Sequence, residues 1–129
     1  MTSQLIRNVR FVEPGKSIRS GDVLVRDGRI AVTGEIPSTK VGDSEVVEGS
    51  GRLLSPGLID IHTHGIRHSL YQAGPDGLRA AARELGRFGV TTVLPTIVPQ
   101  PDEGWLERLA EIAAAIPSVR EVNIPGLHL

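Results

Sequence analysis

Apolar and polar positions divide this chain into two stretches with different periods. As far as residue 54 the apolar residues come in short runs broken by polar turns, the pattern of half-buried strands. Residues 4–12 predict a first strand and residues 22–26 a second. Asp27-Gly28 is a hairpin turn signal, and residues 29–34 return as a third strand. A polar loop follows over residues 37–43. Residues 45–48 predict a short fourth strand, which Ser50-Gly51 turns toward Arg52-Leu53-Leu54. This is a small antiparallel β module, residues 1–54, and its composition reads as scaffold.

From residue 55 to residue 129 strands alternate with helices. Pro56-Gly57 is a turn, and residues 58–64 read as a strand closed by Gly65. Residues 65–74 form a loop. Leu78, Ala81, Ala82, Leu85 and Phe88 fall at helical spacing, predicting a helix over 76–88 with Asp76 as N-cap and Gly89 as its stop. The β-branched run 90–96 predicts a buried strand, and residues 99–102 a turn. Residues 103–116 predict a second helix, with Trp105, Leu109, Ile112 and Ile116 on one stripe and Pro117 ending it. Residues 121–129 read as a third strand, interrupted by Pro125-Gly126. The strands recur about every 32 residues, the period of a βα unit. Such alternation implies a parallel sheet with helices outside, and strands this apolar imply burial on both faces.

Composition narrows the class. The chain has 129 residues and a net charge of -1. That balance gives no electrostatic case for nucleic acid or an acidic membrane. Cysteine is absent, so disulfides and thiolate metal sites are excluded. No apolar run is long enough to span a bilayer, and residues 1–10 lack the core of a signal peptide. The expectation is a cytoplasmic protein with an aliphatic core.

The candidate chemistry lies at the end of the 58–64 strand. Side chains alternate between the faces of a strand, so Asp60, His62 and His64 are expected to share one face. Two residues of rise separate the histidine Cβ atoms by roughly 6.5–7 Å. Metal–imidazole bonds are about 2.0–2.1 Å, so two rings reaching forward can close on one ion. The alternative for a His-X-His pair is two solvated or core histidines with no metal. The setting favours the ion, because α/β folds place their chemistry at the C-terminal ends of their strands.

The stretch Pro56-Gly57-Leu58-Ile59-Asp60-Ile61-His62-Thr63-His64-Gly65 follows a β module containing Asp22-Val23-Leu24-Val25-Arg26-Asp27-Gly28-Arg29-Ile30. Together they resemble the amidohydrolase superfamily of metal-dependent hydrolases. Gly89-Val90-Thr91-Thr92-Val93-Leu94-Pro95-Thr96 and Ile124-Pro125-Gly126-Leu127-His128-Leu129 are similar to the N-acetylglucosamine-6-phosphate deacetylase family. The resemblance implies the first three strands and two helices of a (β/α)8 TIM barrel, preceded by a β-sandwich module that distant C-terminal strands complete. It implies His62 and His64 as ligands of a divalent ion, zinc in the first place, with iron, nickel, cobalt or manganese as alternatives. His128 falls two before the family's ligand glutamate, which would come immediately after Leu129. It reads as lining the pocket rather than as a ligand, or else as a hydrogen-bonded core histidine. Asp60 would orient a ligand imidazole or satisfy backbone donors. No catalytic acid–base is expected within these residues, since the family's aspartate lies late in the barrel. The family usually has a glycine-rich acidic loop after the histidine pair. Here Ile66-Arg67-His68-Ser69-Leu70-Tyr71 stands instead, and Arg67 or His68 would contact an anionic substrate or remain solvated.

The implied reaction is deacetylation of an amino-sugar phosphate, with no nucleic-acid or membrane partner. A closed βα barrel typically needs about 250 residues. The expectation is therefore the N-terminal portion of a larger fold, inactive alone. The alternatives are another amidohydrolase of the dihydroorotase or hydantoinase kind, or a non-catalytic domain that forms a homo-oligomer through an open sheet edge.

Overall fold

The computed structural model describes every residue except Met1, Pro14, Lys16 and Pro101. The predicted turn at 99–102 therefore lies partly outside the described residues. The chain forms two compact units, Met1–Pro56 and Gly57–Leu129.

The first unit is one five-stranded sheet. Strands β1 (Ser3–Phe11), β2 (Arg19–Arg26) and β3 (Arg29–Gly34) run antiparallel, with Asp27 and Gly28 both at positive φ in the tight turn between β2 and β3. Strands β4 (Glu45–Glu48) and β5 (Leu53–Leu54) then add to β1 in parallel. The sheet is mixed, which corrects the wholly antiparallel module expected above. The reason is connectivity. The hairpins use up one side of β1, and residues 35–44 carry the chain back to its other side in the same direction. Leu5 and Leu24 are buried, and Val9, Phe11 and Val23 form a separate apolar cluster.

The second unit is parallel α/β. Strand β6 (Leu58–Thr63) pairs in parallel with β9 (Val90–Pro95). Between them run a short hairpin, β7 (Gly65–Ile66) and β8 (Ser69–Leu70), and helix α1 (Pro75–Arg87). Helix α2 (Trp105–Ala115) follows β9. The hairpin replaces the expected loop. Its tip residue Arg67 adopts φ 54°, a left-handed conformation that sequence rules reserve for glycine or asparagine.

Helix α1 starts one residue early. Gly74 rather than Asp76 is the N-cap, because Pro75 carries the φ suited to the first helical position and lacks an N–H to satisfy. Gly89 at φ 83° stops the helix as expected. Leu78, Ala81, Ala82 and Leu85 turn inward to meet Val93, Ile97, Ile112 and Ala115 in one core. Trp105, Leu109 and Ile116 pack at its margin. Phe88, expected on the same stripe, is exposed, and the Arg67 guanidinium lies 5.3 Å from its ring centroid.

Two expectations about the sheet need correction. Residues 121–129 are not a continuous strand. They touch β9 through two parallel bridges, Thr92 to Asn123 and Thr96 to His128, on either side of Pro125-Gly126. Proline offers no N–H to a ladder, so the pairing breaks there. Strand β6 is also not buried on both faces, since Leu58, Ile59 and Ile61 are 59%, 69% and 65% exposed. It pairs only with β9 among the described residues, and so stands at the sheet edge.

Leu78 is wholly buried in this core, whereas Leu106 on α2 is exposed. Leu78→Ala should destabilise the second unit by about 2–5 kcal/mol. Leu106→Ala should change its stability by less than about 0.5 kcal/mol. Urea titrations followed by fluorescence of Trp105, the chain's single tryptophan, read both values.

Candidate metal centre

The C-terminal ends of β6 and β9 and the 124–128 segment lie side by side, because parallel pairing sends all three in one direction. The Thr96 N–H donates to the Thr63 carbonyl at 2.8 Å. The His128 N–H donates to the Pro95 carbonyl, and the Ile97 N–H to the His128 carbonyl, both at 2.9 Å. These bonds bring His62, His64 and His128 together.

The rings of His62 and His64 stand edge to face, with centroids 5.4 Å apart and planes at 82°. The His128 ring lies 5.0 Å from His62 at 71°. All three residues are exposed. Two imidazoles bound through about 2.0–2.1 Å bonds to one tetrahedral ion bring their ring centroids to about 5 Å from each other. The His62–His64 spacing, like that of His62 and His128, is compatible with two ligands of a common cation. Among the described residues no group of three His, Cys, Asp or Glu side chains is arranged to hold a metal ion. The residues present fit part of a ligand set, and His128 stands beside the pair without completing it.

Strict alternation does not survive to the histidines. The β6–β9 register pairs Asp60 with Val93 but Thr63 with Pro95, so one extra residue is inserted on β6 across Ile61 and His62. Such an irregularity re-aims the side chains that follow it. Asp60 is partly buried, and its Oδ1 accepts the His62 backbone N–H at 3.1 Å. Of the two roles open to it from sequence, the bond present is the one to backbone. It still acts on His62, by pinning the peptide that carries the ring. Beyond the pair, the Thr63 hydroxyl donates to the Gly65 carbonyl at 2.8 Å, and the Tyr71 N–H donates to the His64 carbonyl at 3.2 Å. Gly65 sits at φ 134°, and a Cβ there would collide with the Ser69 carbonyl oxygen. Arg67 makes an ion pair with Glu84 at 3.4 Å, and His68 is exposed.

Two residues that sequence reasoning missed belong to this neighbourhood. Thr96 is buried, and its Oγ1 lies 3.2 Å from Nδ1 of His128. The one available signal was a polar residue closing the buried β9 run. Tyr71 is wholly buried, and its hydroxyl has no hydrogen-bond partner among the described residues. The Thr63 hydroxyl, which donates to the Gly65 carbonyl, is close enough to influence it. Burial pushes the Tyr71 phenol up to about 12; the Asp60 charge adds to the rise and Thr63 opposes it.

Comparison with known proteins gives the class first. No family model matches the chain. Over nearly its whole length the chain is similar to the N-terminal part of amidohydrolase-superfamily proteins. Among curated relatives, a dihydroorotase of Bacillus cereus is 31% identical over 124 residues, covering 93% of this chain and 27% of the relative. Among solved structures, N-acetylglucosamine-6-phosphate deacetylase from Pasteurella multocida superposes with a TM-score of 0.75 at 17% identity, covering 93% of this chain and 32% of that one. A D-hydantoinase superposes with a TM-score of 0.60 at 24% identity, covering 87% and 24%. The structural likenesses bear on the fold. The chain spans about a quarter of the length of the curated relatives it matches.

The orphaned Tyr71 hydroxyl yields a sharp expectation. Tyr71→Phe removes a buried donor without a partner, so it should leave stability unchanged or raise it by about 1 kcal/mol. In the parent the folded state keeps the phenolic proton after the unfolded state has lost it. Stability should therefore hold steady below the ordinary value of 10.0 and fall as pH rises from there to about 12. The loss amounts to at most about 3 kcal/mol. Tyr71 is the chain's only tyrosine, so phenolate absorbance titrates it alone, and the Tyr71→Phe chain should lack this alkaline decline.

Proposed function

We propose that this chain forms the N-terminal part of a metal-dependent amide hydrolase, with residues 1–54 as the β-sandwich module and residues 55–129 as the opening βα units of a (β/α)8 barrel. His62 and His64 supply two ligands to a divalent ion, zinc in the first place. The observation that carries the reading is the edge-to-face imidazole pair, 5.4 Å between centroids, at the C-terminal end of a parallel strand. A divalent ion held there supplies Lewis acidity toward an amide carbonyl and acidifies a water. The chain's own residues do the rest of the positioning. Asp60 fixes the His62 peptide, the Gly65 turn sets the chain direction after His64, and His128 flanks the pair.

The substrate we assign is N-acetylglucosamine-6-phosphate, cleaved to glucosamine-6-phosphate and acetate. The 0.75 TM-score with the Pasteurella multocida deacetylase supports this reading, as does the 124–129 stretch. A second reading, hydrolysis of a cyclic amide of the dihydroorotate or hydantoin kind, draws support from the 31% identity to the Bacillus cereus dihydroorotase.

A catalytic zinc normally has three protein ligands, so the 129-residue chain should bind zinc weakly and show no enzymatic turnover. Calorimetric titration with zinc should give one site, and the His62→Ala/His64→Ala double variant should weaken it at least tenfold. Unchanged binding in the double variant would overturn the metal assignment. In the zinc-loaded parent, N-acetylglucosamine-6-phosphate should shift the ring resonances of His62, His64 and His128. Shifts produced by dihydroorotate alone would transfer the assignment to the cyclic-amide reading.

A further inference from the structure

Thr96 joins the two segments that carry the histidines. Its N–H is bonded to the carbonyl of Thr63, the residue between His62 and His64. Its neighbours Pro95 and Ile97 bracket the backbone of His128. Its hydroxyl lies against Nδ1 of that ring at 3.2 Å, and the residue is only 5% exposed.

A neutral imidazole has one N–H and one lone pair, so the bond made at one nitrogen dictates what the other can do. Burial decides the direction here. A hydroxyl donor left unpaired in the interior costs about 1–3 kcal/mol, and among the described residues Nδ1 of His128 is the partner that the Thr96 side chain has. If Nδ1 carried the proton, the Thr96 hydroxyl hydrogen would face that proton or point at nothing. If Nδ1 offers its lone pair, the hydroxyl is satisfied. Threonine suits the task because its branched side chain is stiff at χ1 and holds the hydroxyl in one direction.

We propose that Thr96 is a positioning residue which donates its hydroxyl proton to Nδ1 of His128, so that Nε2 carries the ring proton and presents a hydrogen-bond donor to a substrate oxygen beside the His62–His64 pair. The ring then acts as a neutral donor toward a carbonyl or carboxylate oxygen, the kind of group that stabilises negative charge developing on oxygen. This accounts for a third imidazole that lies 5.0 Å from His62 and yet, among the described residues, completes no ligand set. The purpose of the donor rests on the hydrolase reading, whereas the tautomer itself does not.

The test is the ring tautomer of His128, read from two-bond nitrogen–proton correlations of the labelled 129-residue chain at a pH where the ring is neutral, with no metal or substrate added. The parent should show a single Nε2–H form. Thr96→Val, which keeps the shape and removes the hydroxyl, should give a mixture of both tautomers, and Thr96→Ser should restore the parent pattern. Acetate, as the oxygen probe, should shift the His128 ring resonances in the parent, with a shift at least threefold smaller in Thr96→Val. An Nδ1–H tautomer in the parent overturns the proposal even if the valine variant does not fold. So does an unchanged tautomer in Thr96→Val, or an absence of any acetate shift. The His62→Ala/His64→Ala variant should keep the Nε2–H form, so loss of zinc binding and loss of the tautomer report separately on the two readings.

Discussion

The parallel pairing at the C-terminal end of β9 is the constraint on which the rest of the site depends. A central strand has two edges, and here each edge holds a histidine-bearing segment by main-chain hydrogen bonds. One bond runs from the Thr96 N–H to Thr63, and two more tie Pro95 and Ile97 to His128. Main-chain bonds of this kind are indifferent to side-chain identity. They set where Cα atoms stand, and the side chains then decide what can be done there. The three imidazoles meet because β6, β9 and the 124–128 segment end at one level, although residues 64 and 128 are far apart along the chain.

Helix packing keeps that level. α1 and α2 bury Leu78, Ala81, Ala82, Leu85, Ile112 and Ala115 against β9, whose Val93 is wholly buried. β9 is therefore the stiff member of the sheet, and β6 leans on it with three large aliphatic side chains exposed. The inserted residue between Asp60 and Thr63 falls on the more loosely held strand, ahead of the second histidine. Irregularities of this sort gather beside functional sites because they turn side chains without moving the sheet.

Much of this was readable from the residues alone. The helical spacing of Leu78 to Leu85 placed α1 to within a residue at its start, because a buried stripe tolerates little drift. The Asp27-Gly28 turn and the β-branched run of β9 were equally plain, since each depends on local chemistry. The failures came where distant chain decides. Nothing near β4 says that it will lie parallel to β1. The Arg67 turn was invisible, because its left-handed backbone is held by tertiary partners rather than by a glycine. The His-X-His pair could be seen, but the extra residue on β6 could not, since a ladder register belongs to two strands at once. Thr96 and Tyr71 look ordinary in sequence. Their importance comes from being polar and buried.

The hairpin after His64 carries one more consequence. Arg67 is fastened to helix α1 through its ion pair with Glu84 and to the residue capping that helix through its position over the face of Phe88. A guanidinium over an aromatic face and an exposed ion pair are each weak, about 1 kcal/mol or less. Acting on the same side chain, they hold the segment next to the histidines against a rigid rod. The rim on that side of the mouth thus gives up its wandering when the chain folds. For the ligand proposed above, that rim would need little ordering on binding.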